Sequence, residues 1–175
     1  MFSKKWSTRI SRRLARAEQT MRVRIARDEL RRLRELTITI NQREREITEL
    51  IEQIAPQLLD EPGFGPLIAA KLVGEIAGAQ RFATAAKLAR AAGVAPIPAS
   101  SGNTQRQRLD QGGNRQINAA IHRVIVTRAR CHQPTRDYIA RRRQEGKTTR
   151  EAIRCLKRYL ARHVWRLLQP PHPGQ

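Results

Sequence analysis

An all-α chain is predicted: a compact helical domain containing a helix-hairpin-helix, preceded by a long N-terminal helix with coiled-coil heptads. Three observations predict it. From Ser7 to Gln57 there is no glycine, and Pro56 is the one proline. Further on, apolar residues recur at the three- and four-residue spacing of a helix face. Alternating runs of the kind a half-buried strand needs are almost absent. The expected division is a basic helical segment over 1–57, the compact domain over 58–168 and a flexible tail over 169–175, where Pro170, Pro171 and Pro173 lie.

The first segment is rich in Arg, Glu, Leu and Ile, all compatible with helix. Leu33, Ile40, Ile47 and Ile54 recur every seven residues, and Leu36 and Leu50 fill the second seam position, which Arg43 interrupts. Leu30, Ile51 and Leu58 widen the stripe. This seam can pair with a second copy or fold back on its own domain, and the pattern does not choose. Arg9 to Arg34 is more basic and less regular. It reads either as a solvated charged face or as an arm that tracks phosphates.

The corner of the domain is Leu59-Asp60-Glu61-Pro62-Gly63-Phe64-Gly65-Pro66. Leu58 and Leu59 are expected to end one helix, and Pro62 and Gly63 to break it. Phe64 is an apolar plug, Gly65 permits close backbone approach, and Pro66 suits the first turn of the next helix. There Ile68, Leu72 and Ile76 share a face, flanked by Ala69 and Val73. Amides at such a helix start can cradle a phosphate without reading bases. The plainer reading is a turn that merely packs the core.

Ala77 to Phe82 reads as a loop, and Thr84 as the cap of a short helix over 85–92 with Leu88 and Ala91 inward. Gly93 ends it and Pro96 prevents its restart. From Gly93 to Asp110 a connection of unusual length follows, extended around Pro96 and Pro98. Gly112 and Gly113 make a turn and Asn114 caps a helix over 115–130, with Ile117, Ala120, Ile121, Val124 and Ile125 as its core stripe. Pro134 opens another helix, with Tyr138 and Ile139 inward and Arg141, Arg142 and Arg143 outward, and Gly146 ends it. Thr148 and Glu151 form a capping box for the last helix, which buries Ile153, Leu156, Leu160, Val164 and Leu167.

Charge narrows the function. The 175 residues hold 35 Lys and Arg against 15 Asp and Glu, a formal net charge of +20. A polyanion is the simplest partner, and nucleic acid the commonest polyanion. Aromatic residues make up 4%, too few for base-stacking platforms. Cys131 and Cys155 have no metal-type spacing and read as free thiols of a reducing compartment. No apolar run reaches the length of a membrane span, and no apolar stretch follows the basic start as in a signal peptide. The expected location is the cytoplasm, on the nucleoid, with DNA as partner and no membrane.

The long connection holds Ser100, Ser101, Gly102, Arg106 and Arg108. A serine beside glycine is accessible, and nearby arginines can hold a phosphodiester and stabilise charge developing on its oxygens. That set suits nucleophilic attack on phosphorus, leaving a strand esterified to serine. It is also ordinary loop composition. A serine hydroxyl needs a base or a metal. His122 and His132 read as structural or surface residues, and the acids form no paired-carboxylate set, so no metal site is expected in this chain.

Pro62-Gly63-Phe64-Gly65-Pro66, Arg81 to Leu88, Ala92-Gly93-Val94-Ala95-Pro96 with Ser101-Gly102, and Gly113-Asn114-Arg115 together form a pattern. It resembles the C-terminal domain of the bridge-RNA-guided insertion-sequence transposases related to the Piv DNA invertases. The resemblance covers roughly 58–168. It implies that Ser101, directly before Gly102, is the nucleophile of a phosphoserine intermediate in strand exchange. It further implies contacts to DNA and to a guide (bridge) RNA, and assembly as a homo-oligomer through helical regions. Such transposases carry an N-terminal RuvC-like domain whose four acidic residues bind Mg2+. This chain begins near the coiled-coil segment that follows that domain, which leaves a truncated copy, a separately encoded half or an excised piece.

The expected function is thus the DNA-binding C-terminal part of a transposase, enzymatic when an acidic metal-binding domain acts in trans. Its expected DNA contacts are Pro62, Gly63, Phe64, Gly65, Lys71, Arg106, Arg108 and Arg115. The rival is a non-catalytic helix-hairpin-helix protein with an architectural or repair role on DNA. RNA binding through the basic helices is a third reading, because phosphate contacts do not separate RNA from DNA.

Overall fold

Helices make up nearly all of the regular structure. The computed structural model describes residues 4–98, 107–108 and 112–170, with the backbone alone at Lys4, Pro98, Gln107 and Arg108. The chain divides into two compact units, Met1–Ile47 and Thr48–Gln175.

The first unit contains α1 (Lys4–Arg16) and most of α2 (Met21–Ile54). One continuous helix was the expectation from Ser7 on; the chain instead leaves helix at 17–20 and starts again. Thr20 explains the restart, since its Oγ1 accepts from the Val23 amide at 3.4 Å and its carbonyl from the Arg24 amide at 3.1 Å. Arginines of α2 hold α1 in place. Arg34 donates to Ser7 Oγ (2.7 Å), to the Ser7 carbonyl (3.1 Å) and to Ser11 Oγ (2.7 Å), while Arg27 donates to the Leu14 carbonyl (2.9 Å). Ser7 and Leu30 are buried in this unit.

The heptad seam is open. Leu36, Ile40, Leu50 and Ile54 are 55%, 61%, 54% and 62% exposed, and Leu33 and Ile47 are half-buried.

In the second unit α2 stops at Ile54, and a 3-10 turn Pro56–Leu58 follows. Pro56 has no amide to donate, and Ala55 at φ −152° has already left helix, so the element entering the corner is not the α-helix expected up to Leu59. Then come α3 (Pro66–Ile76), a 3-10 turn Ala79–Arg81, α4 (Ala85–Ala91), the strands β1 (Ile97–Pro98) and β2 (Gln107–Arg108), α5 (Arg115–Cys131), α6 (Gln133–Gln144) and α7 (Thr149–Leu167). β1 and β2 pair antiparallel, Ile97 opposite Arg108 and Pro98 opposite Gln107, where no regular structure was expected.

Helix α5 packs on α3, α6 and α7, and α7 also packs on α4 and α6. All five expected core residues of α5 are buried. On α3 the buried stripe is Ala69, Leu72 and Ile76, with Ile68 only half-buried. Leu88 and Ala89 are buried on α4, with Ala92 just beyond it, and Ala91 is half-buried. On α7 Ala152 and Ala161 join Leu160 and Val164, and Ile153, Leu156 and Leu167 are half-buried. Arg142 does not point outward as expected: its Nε donates to the Tyr138 hydroxyl at 3.1 Å.

Candidate nucleic-acid interface

The corner is built from backbone constraints. Gly65 is the N-cap of α3 and Pro66 its first residue. Gly65 is exposed, with nothing within 4 Å of where a Cβ would stand. Gly63 is constrained from two sides. Its φ is +82°, and a Cβ would meet Arg128 Cγ at 3.0 Å and the Val124 carbonyl oxygen at 3.2 Å. Phe64 is buried, as a plug should be, and Pro62 is exposed.

Arg128, on α5, ties this turn to the core. Its Nε donates to the Pro62 carbonyl (2.6 Å), its Nη2 meets Glu61 Oε2 (2.7 Å), and its guanidinium lies 5.5 Å from the centre of the Phe64 ring. The other Glu61 oxygen lies 2.7 Å from His163 Nε2 on α7. Burial pushes the Glu61 carboxyl up, but hydrogen bonds and charge from His163 and Arg128 outweigh it and hold the carboxyl below the usual range. The corner's carboxylate is thus shared by the Arg128 guanidinium and the His163 ring. None of the sequence signals found Arg128 or His163, because they lie 67 and 102 residues beyond Glu61.

A second construction closes the base of the long connection. Gly93, at φ +63°, follows α4, and Gly113 lies so close that a Cβ on it would stand 2.1 Å from the Gly93 nitrogen. The Asn114 amide donates to the Ala91 carbonyl (2.6 Å), and Asn118 Nδ2 donates to the Gly93 carbonyl (3.0 Å). Lys157 on α7 donates to Asn118 Oδ1 (2.7 Å). Burial, with Arg154 nearby, lowers the Lys157 ammonium from its ordinary value. Asn114 also acts as the expected cap, accepting from the Gln116 and Ile117 amides (2.8 and 3.1 Å), while its Nδ2 donates to Glu75 (2.8 Å). The two ends of the segment 94–112 are therefore held side by side, with the β1–β2 pair continuing the closure.

Ser100, Ser101, Gly102 and Arg106, and the side chain of Arg108, lie outside the described residues. Lys71 is half-buried on α3, and Arg115 is exposed at the first position of α5. His122 is exposed, and burial, Lys157 and Arg123 lower its imidazole from the ordinary value, which favours the neutral form. His132 Nδ1 lies 2.9 Å from Thr135 Oγ1 at the start of α6. Cys131 and Cys155 are free. Among the described residues no three His, Cys, Asp or Glu lie together as a metal site would need, and no helix is long and apolar enough to cross a membrane. The Mg2+ implied by the resemblance has no matching donor set among these residues.

A glycine-bent corner and a clamped connection on a basic helical domain define the class of fold. Residues 55–140, just under half of the chain, match the model of the family described as transposase IS116/IS110/IS902. That match runs from the corner through the clamp into α6. The 43.6 kDa protein of insertion element IS110 from Streptomyces coelicolor is 35% identical over 118 residues, covering 66% of this chain and 29% of that protein. The 44.8 kDa protein of IS116 from Streptomyces clavuligerus is 29% identical over 133 residues, covering 74% and 33%. The 42 kDa protein of IS900 from Mycobacterium paratuberculosis is 32% identical over 117 residues, covering 64% and 29%. The chain spans about a third or less of the length of these relatives. Together the matches make this chain similar to one part of these insertion-element proteins.

Proposed function

We propose that this chain is the DNA-binding C-terminal part of an insertion-sequence transposase that presents Ser101 for strand transfer. The supporting observation is the family match, which covers both the corner and the clamped base of the serine-bearing segment. In the proposed step Ser101 Oγ bonds to a phosphodiester phosphorus, and the bond from phosphorus to one flanking sugar oxygen breaks. The serine proton ends on that departing oxygen, and the strand stays esterified to Ser101. The bond count is conserved, so the step can be reversed onto a second strand. An acidic metal-binding domain, on the same polypeptide or on another, would supply with Mg2+ the activation that a serine hydroxyl lacks.

Amides around Gly63 and Gly65 hold a phosphate at the N-terminus of α3, and Lys71, Arg106, Arg108 and Arg115 add positive charge. A guide RNA would engage the same phosphate-directed chemistry. Assembly as a homo-oligomer is supported by the uncovered seam of α2, where Leu36, Ile40, Leu50 and Ile54 are all more than half exposed.

The test combines the full chain, an acidic RuvC-like partner domain, Mg2+ and element-end DNA, and looks for a serine-linked adduct on a denaturing gel. The wild-type chain should form one and S101A should form none. An equal adduct yield from S101A rejects the nucleophile assignment. DNA binding without any adduct in either chain favours the non-catalytic reading.

A further inference from the structure

Helix α1 has a cationic face that the corner and the clamp do not use. It contains no acidic residue. Lys5, Arg9, Arg12, Arg13 and Arg16 line one open concave surface together with Thr8. None of these five cations has an ion pair among the described residues; Arg9 alone has a ring contact, 5.7 Å from the Trp6 centroid. Five like charges held on one helix with no counter-charge repel one another. A ligand that brings its own negative charges relieves that repulsion.

The spacing selects the ligand. Positions 5, 9, 12, 13 and 16 fall on one side of a helix and span about 16 Å at 1.5 Å per residue. A strand of B-form duplex places a phosphate about every 3.4 Å of axis while winding around it, so a few phosphates come within reach of that length. The opposite side of α1 is occupied. Ser7 is buried there, Ile10 and Leu14 are half-buried, and Arg27 and Arg34 hold that side against α2. An anionic membrane would need a free apolar face to take up an amphipathic helix, and α1 offers only Trp6, 60% exposed at one end. The face is lined by lysine and arginine with Thr8, and such cations reach phosphate oxygens, which position a chain without reading its sequence.

We propose that the outward face of α1 is a second binding surface for a polynucleotide phosphodiester backbone, separate from the corner of the second unit. The inference rests on the nucleic-acid-binding reading above and adds a surface to it. It gives the chain two places to hold nucleic acid, one on each compact unit.

The experiment titrates the full chain with 30-base-pair duplex DNA and, in parallel, duplex RNA of the same length, across a series of salt concentrations. R9Q/R12Q/R13Q/R16Q should flatten the plot of log K against log salt by about three to four on at least one polymer, since each lost phosphate contact is worth about 0.9. The polymer on which it does so identifies the source of the backbone. The charge-matched control R22Q/R24Q/R32Q/R45Q removes four exposed arginines of α2 and should change the slope by less than half as much. Glutamine keeps helix propensity, and circular dichroism of both variants checks that they stay folded. Equal changes from the two sets, or no change from the first, overturn the proposal. Binding to phosphatidylserine vesicles that depends on the four arginines, with none to either polymer, also overturns it. If wild type binds and K71Q/R115Q weakens binding but the α1 set does not, only this inference falls. If wild type binds neither polymer, the reading beneath it falls too.

Discussion

Gly63 shows how one residue can be fixed twice. Its φ of +82° already disfavours a side chain, and the space a Cβ needs is taken by Arg128 and the Val124 carbonyl. G63A should therefore destabilise the fold by about 2–3 kcal/mol, seen in urea unfolding. A loss below about 0.5 kcal/mol would show that the corner relaxes freely. Glu61 leads to a pH prediction. Its carboxyl sits below the usual range when folded, so the stabilisation it gives is present above the unfolded value of about 4.5. It is lost as pH falls through the folded value. The drop in Tm between pH 6 and pH 3 should be smaller in E61Q than in wild type, and an equal drop would remove Glu61 from the account. The glycine was legible in the sequence because proline and glycine punctuate a chain locally. Its partners were not, because Arg128 and His163 reach Glu61 from distant helices, and no local pattern encodes such a meeting.

At the level of elements, legibility followed locality in the same way. The Thr148–Glu151 capping box, the Asn114 cap and the αL glycines Gly93 and Gly146 were readable because their partners lie within a few residues. The α5 stripe was readable because a buried helix repeats its apolar positions at a fixed period. The break between α1 and α2 was not, since it contains neither glycine nor proline and depends on arginines that bond 13 to 27 residues back along the chain. The clamp under the serine-bearing segment was hidden for the same reason: Asn118 reaches Gly93 across 25 residues and Lys157 reaches Asn118 across 39. N114A should cost about 1–2 kcal/mol in chemical denaturation, through the lost cap and the lost bond to Glu75. G113A should cost more than N114A, because its Cβ would overlap the Gly93 backbone. The reverse order would mean that the two ends of the segment are not held together as described.

For the molecule as a whole, net charge and two uncovered surfaces set the behaviour. A formal charge of +20 makes any nucleic-acid affinity steeply salt-dependent, and the seam of α2 leaves large apolar side chains in water. In sedimentation velocity the wild-type chain should self-associate in the micromolar range, and I40D/L50D should shift it to monomer. A wild-type chain that stays monomeric at 100 µM would remove the homo-oligomer from the proposal. The composition pointed to a polyanion partner and the order of motifs to a resemblance to transposases, but neither could show that Gly93 and Gly113 are held side by side. On the proposed function, Ser101 is the group that attacks phosphorus. The most direct measurement traps the chain on nicked element-end DNA with its acidic partner domain and Mg2+, digests both polymers and maps the nucleotide remnant by peptide mass spectrometry. A phosphodiester-linked remnant on Ser101 is the expected result. A remnant on Ser100 or on any residue other than Ser101, or its complete absence while the DNA is still cut and joined, would contradict it.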